Sequence, residues 1–270
     1  MFIELKKFES LSELQNLEMI NLGTGMGYYD FCYRNLTLNT FNFSLPQQNL
    51  YFDYQLLKRY SYLLNKECVV CVVLPYCIFC ADRLEEAMSR YERYYSLLPR
   101  EDVEPYCSVP YDSRWNLNSN SLPEGDDSLK TILESSEMEQ QSQETLKLWK
   151  RQLDIISFTS GEVTSHTRKE IKRSQGWLIN ILEYCKNMQF IPVVVVPPMS
   201  QTLLDQIGEK FRKLNFYDVL NEAVSEEIKI LDYTEDGFFC NPRLYGWPGF
   251  LAEEAAKAFT KDVIKKLGIG

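Results

Sequence analysis

Apolar positions along the chain follow two periods, and the switches between them outline the elements. Residues 18–23 form a short apolar run that predicts a strand. Residues 37–45 (Thr-Leu-Asn-Thr-Phe-Asn-Phe-Ser-Leu) alternate and predict a second. Cys68 to Leu74 and Phe190 to Val196 are continuous, β-branched-rich runs, as expected of strands buried on both faces. Ile228 to Leu231 predicts a last short strand. Helical spacing fills the gaps. Residues 1–17 form a helical lead-in. Phe52, Leu56, Leu57, Tyr60, Leu63 and Leu64 predict an amphipathic helix up to Asn65. Arg83 to Leu98 reads as a charged, Tyr-rich helix stopped by Pro99. A polar helix over 136–155 carries Leu146, Trp149 and Leu153. A long helix over 164–187 buries Leu178, Ile181, Leu182 and Cys185. Leu204, Ile207, Phe211 and Leu214 repeat at three and four. Leu251 to Leu267 is the final helix, with Gly268 as its stop.

Strands alternating with helices imply a mainly parallel sheet covered on both faces. The expected fold is α/β: a three-layer α/β/α sandwich, about five strands, with flavodoxin-like topology. Residues 100–135 break the pattern with Pro, Asn, Ser, Asp and Gly. They are expected to form an irregular insertion in a single domain spanning 1–270.

Composition narrows the partners. The chain has 270 residues and a net charge of −9, which disfavours nucleic acid and anionic membranes. No apolar run approaches the roughly 20 residues of a membrane span, and Met1–Lys7 shows no signal-peptide core. A cytoplasmic location is expected. The eight cysteines sit largely inside apolar runs and are expected to be mostly free and buried.

The candidate site is the turn after the first strand, Asn21-Leu-Gly-Thr-Gly-Met-Gly27. Its glycines suit a strand-to-helix turn at the carboxyl end of a strand, where α/β sheets bind ligands. Other candidate chemistry is sparse. Cys77-Ile-Phe-Cys80 has the spacing and setting of a thiol redox pair, although it lacks Gly-Pro and a preceding Trp. Asp232, Glu235 and Asp236 form an acidic cluster after the last strand, either a cation site or a solvated turn. His166 is the one histidine. No metal site and no cofactor are expected.

Several strings, in order, resemble the SGNH (GDSL-like) hydrolase family, in its branch associated with bacterial cell-surface polysaccharides and D-alanyl transfer. They are Asn21–Gly27, Asn42–Lys58, Val69–Tyr76, Ile230–Tyr233 and Leu251–Thr260. The resemblance implies Ser–His acyl transfer with an oxyanion hole. It places the nucleophile on Gly25, the Asp on Trp247 and the His on Phe250, none of which can do that chemistry. A degenerate, non-catalytic relative is therefore expected, binding a glycan or acyl-bearing ligand or a protein partner. Its ligand contacts would be Asn21, Gly23, Thr24, Gly25, Ser44, Gln48, Tyr76 and Trp247. The alternatives are an active esterase or acyltransferase with a relocated nucleophile, Thr24 with His166 as base among the candidates, and a redox protein using Cys77 and Cys80.

Overall fold

A computed structural model describes residues 3–82, 90–108 and 132–269. It is an α/β fold with one all-parallel five-stranded sheet between helical layers. The elements run β1 (Leu17–Gly23), α1 (Gly25–Asp30), β2 (Thr40–Asn42), α2 (Leu50–Tyr60) and β3 (Leu64–Val73). Then come α3 (Arg100–Val103), α4 (Ser135–Gln152), β4 (Ile155–Ser157), β5 (Glu162–Val163), α5 (Ser165–Asn187) and β6 (Ile191–Val196). The chain closes with α6 (Gln201–Leu204), α7 (Glu209–Arg212), α8 (Asp218–Ala223), β7 (Lys229–Asp232), β8 (Tyr245–Trp247), β9 (Phe250–Leu251) and α9 (Glu253–Leu267).

The sheet order is β2-β1-β3-β6-β7. Ile20 of β1 lies beside Phe41 on one side and Val70 on the other, and Val70 lies beside Pro192 of β6. Val70, Cys71, Val72 and Val73 are fully enclosed, which is why this strand tolerates only small or β-branched apolar residues. The connections leave β1 in one direction and β3 in the other. Right-handed crossovers then put α1 and α2 on opposite faces. Accordingly α1 packs with α9, whereas α2, α5 and α8 pack together. The reversal opens a crevice outside the carboxyl ends of β1 and β3, where such sheets bind ligands.

Helix ends follow local chemistry. Asn49 caps α2 by accepting from Phe52 N at 3.0 Å, and Thr164 caps α5 by accepting from Thr167 N at 3.2 Å. Gly268 ends α9 in the left-handed conformation.

Some expected elements differ. The lead-in is a 3₁₀ segment over Ile3–Glu13, and the second strand shrinks to three residues. The expected 83–98 helix falls partly on residues 83–89, outside the described ones; Arg90–Ser96 is 3₁₀. Within the expected 100–135 insertion, Arg100–Val103 make one helical turn, and 109–131 lie outside the described residues. The helix expected over 136–155 stops at Gln152, where the chain enters the short antiparallel pair β4–β5. The helix around 204–214 is broken into α6, α7, a π turn (Lys213–Tyr217) and α8. Among the described residues, no helix is long and apolar enough to cross a membrane. All eight cysteines are free, six buried and Cys32 and Cys107 half-buried.

Candidate functional site

A cleft of about 350 Å³ occupies the crevice at the β1/β3 reversal. Its floor is the glycine turn Thr24-Gly25-Met26 with Pro75 and Cys77 beyond β3. Its walls are Pro46–Gln48, the α4 face bearing Thr145, Leu148, Trp149 and Gln152, and the β8–β9 hairpin with Trp247 and Phe250. The α4 residues recur at three and four, so one helix face forms that wall.

The glycine turn is shaped by contact. Gly23 has φ +142°, and a Cβ there would lie 2.9 Å from the Val73 carbonyl oxygen. The Phe250 ring lies directly on Gly25: a Cβ at position 25 would sit 2.9 Å from Phe250 Cζ. Trp247 is the cross-strand partner of Phe250. Positions 25, 247 and 250, far apart in sequence, therefore converge at one end of the cleft. Gly25→Ala is expected to cost about 1–3 kcal/mol by overpacking and to become nearly neutral in a Phe250→Ala background. Chemical denaturation of the four proteins of this cycle measures that coupling, and independent effects would refute the contact.

None of the described residues lining the cleft is Asp, Glu, Lys, Arg or His. General acid–base catalysis needs a titratable group within hydrogen-bond reach of the reacting atom, and among the described residues the lining offers only Tyr29 and Cys77 as ionisable side chains. Burial pushes the Cys77 thiol well above its usual pKa, with Cys80 adding to the shift, and raises Cys80 to about 12. Both side chains are buried. A redox pair needs an accessible, stabilised thiolate; both thiols here are buried with raised pKa values, the opposite environment.

Thr24, Gly25, Gln48 and Trp247 line the cleft as expected. Four others do not. Asn21 is fully buried, with Nδ2 donating to Gly27 O at 2.9 Å, Ser44 Oγ at 2.8 Å and Asn42 Oδ1 at 3.1 Å. Asn21 and Ser44 thus fasten α1 to the strand ends rather than touch a ligand. Gly23 sits beneath the turn with its N–H on Asp53. Tyr76 is buried, its hydroxyl 3.0 Å from that of Tyr217. Gln48 is on the wall, but its amide is engaged: Nε2 donates to Phe43 O and Asp53 Oδ1, and Oε1 accepts from Tyr94 OH. His166 does not line the cleft. It is exposed on the first turn of α5, Nε2 4.0 Å from Glu170 Oε1, so its pairing with Thr24 as base is not formed.

Asp53, Asp30, Gln47 and Thr145 were missed. Asp53 is fully buried under the turn; its Oδ1 accepts from Gly23 N at 2.8 Å and from Gln48, and its Oδ2 has no partner. Burial raises its pKa to about 7, against the lowering by those two hydrogen bonds. Asp30 is also buried, accepts from Leu251 N at 2.8 Å, and so pins β9 onto α1; burial lifts its pKa well above the usual carboxylate range. Gln47 and Thr145 line the cleft with Oε1 and Oγ1 buried and unpartnered, and Gln47 has φ +61°. A buried polar atom without a partner costs about 1–3 kcal/mol, and a strained non-glycine residue at a cleft is a mark of function. A Gln after a Pro in a loop gives no such signal in sequence.

The acidic cluster does not converge. Asp232 accepts from Thr234 and Tyr217, and Asp236 accepts from the Phe238 and Phe239 amides. Among the described residues no group of His, Cys, Asp and Glu is placed to hold a metal ion.

No family model matches the chain, and a search of curated proteins finds no match.

Proposed function

We propose that this chain is a non-catalytic binding protein built on a hydrolase-like scaffold, and that its cleft takes a neutral ligand, a glycan or an acyl-bearing one. One observation carries the reading: the cleft at the β1/β3 reversal has no charged side chain among its described lining residues, and Phe250 covers Gly25 there. The resemblance of the sequence to SGNH hydrolases gives this contact a meaning. Positions 25 and 250 are those of its nucleophile and base, and they are neighbours in space although 225 positions separate them in sequence. An apolar ring on a glycine is what remains when such a pair loses its chemistry. The same resemblance supports an accessory role beside enzymes that modify bacterial surface polysaccharide.

The ligand's chemistry follows from the walls. Trp149, Trp247 and Phe250 offer flat apolar faces to an acyl chain or a sugar ring. Gln47 and Thr145 line the cleft with enclosed, unpartnered polar atoms, which a side-chain rotation would turn toward a ligand for one or two hydrogen bonds. An ionised group would be stripped of water with no counter-charge, at a large cost. Tryptophan fluorescence tests this: titration with a neutral hexanoylated monosaccharide should give a saturable change, and ionised hexanoate should give none at the same concentrations. Trp247→Ala should weaken binding about tenfold, roughly 1.4 kcal/mol. Equal binding of hexanoate, or no saturable change, would reject the reading.

A further inference from the structure

A second groove, sharing no lining residue with the apolar cleft, opens at the carboxyl end of β7. It has two connected parts of about 740 and 410 Å³, joined along Glu209, Arg212, Thr234 and Glu235. Its charges are unevenly engaged. Lys213 is paired with Asp218, Nζ to Oδ1 at 2.7 Å. Asp232 is occupied by Tyr217 OH at 2.8 Å and by Thr234, whose N lies at 3.0 Å and Oγ1 at 2.6 Å. Among the described residues the Arg212 guanidinium makes no hydrogen bond and no ion pair; only its backbone N–H is engaged, donating to Gly208 O at 3.1 Å. Its Nε is shut off from solvent, and the guanidinium is backed by Tyr76, with Cζ 5.8 Å from the ring centroid. Glu209 and Glu235, on the same groove, are likewise without a side-chain partner.

Nε is closed off, so the groove is offered the remaining guanidinium N–H groups, which have no acceptor among the described residues. Arginine presents a planar fork matched to a carboxylate, and the Tyr76 ring lies within cation–π range of it. The two carboxylates line the same groove as Arg212. A purely anionic ligand would meet Glu209 and Glu235, and a purely cationic one would meet Arg212. From this we infer a second binding site, for a small zwitterion: its carboxylate on Arg212 and its ammonium on Glu209 or Glu235. The π turn that follows Arg212 brings Tyr217 round to Asp232 at this spot, in a local geometry that recurs at functional sites.

The test uses the full chain at low ionic strength and isothermal titration with glycine, 4-aminobutyrate and 6-aminohexanoate, beside butyrate and butylamine. At least one amino acid should bind saturably in the millimolar range or tighter, and both single-charge controls should bind at least tenfold more weakly. Arg212→Gln should reduce amino-acid binding at least tenfold. Glu209→Gln and Glu235→Gln change exposed side chains and leave the fold intact, so together they supply a check independent of Arg212; the pair should weaken amino-acid binding and not weaken butyrate. Absence of saturable binding would mean that Glu209, one helical turn before Arg212, neutralises it in solution, and would overturn the inference. Butyrate binding as tightly as the amino acids, or affinity unchanged in Arg212→Gln, would overturn it equally.

Discussion

Gly23→Ala is expected to lower stability by about 3–5 kcal/mol, which is a large part of a domain's total. Two costs combine. At φ +142° an L side chain is strained, by about 1–3 kcal/mol. The new methyl would also lie 2.9 Å from the Val73 carbonyl oxygen and 3.0 Å from its Cβ. Val73 belongs to a fully enclosed central strand and cannot withdraw, so overpacking adds about 1–3 kcal/mol. The Gly23 N–H that holds Asp53 would be displaced as well. Gly237→Ala is the control, because nothing lies within 4 Å of a Cβ there; it should change stability by less than about 0.5 kcal/mol. Urea denaturation reads both. A Gly23→Ala protein within 1 kcal/mol of the natural chain would mean that the turn is not built as described.

Asp53 is expected to make the fold less stable as pH rises through neutrality. Its folded pKa, about 7, lies above the unfolded value near 3.9. Between those values the folded state keeps a proton that the unfolded state has released. The slope of unfolding free energy against pH is therefore negative across that window. The contribution is fully present below about pH 4 and is lost by the time pH passes 7, a total of a few kcal/mol at about 1.4 kcal/mol per unit. Asp53→Asn keeps an acceptor for Gly23 N–H and Gln48 while removing the titration. The variant should match the natural chain to within about 1 kcal/mol at pH 4 and exceed it by a few kcal/mol at pH 8. Asp30, raised in the same direction by burial, leaves part of the trend in place. Denaturation midpoints of the two proteins that stay parallel from pH 5 to 8 would contradict the burial of an ionisable Asp53.

The sheet was legible in sequence because its central strands are long. Runs such as Val69–Val73 and Val193–Val196 have no polar face, and only burial on both sides explains that. The glycine turn was legible for a similar reason, since glycines cluster where chain meets chain. The β4–β5 and β8–β9 pairs were not, because two or three residues carry no period. The break after Leu204 was hidden by apolar spacing that stays helical across α6, α7 and the π turn. In the site, the convergence of positions 25, 247 and 250 came from resemblance alone; no local pattern links a turn at 25 to a hairpin at 250. Asn21, Ser44 and Tyr76 lie off the cleft lining because their hydrogen-bond partners sit on other elements, which no local pattern shows. Asp53 was missed for the opposite reason: one carboxylate in an amphipathic helix resembles its solvated face. The flanking Phe52 and Leu57, both buried, were the available signal.

The measurement closest to the central claim is ester turnover by the natural chain. Initial rates on p-nitrophenyl acetate and butyrate should rise linearly with substrate, show no saturation, and stay unchanged in Thr24→Val, Cys77→Ala and His166→Ala. That is the result the proposed non-catalytic role requires, since no described lining residue is Asp, Glu, Lys, Arg or His. Saturable turnover that disappears in any one of those three variants would show a working nucleophile or base in the chain, and would contradict the account.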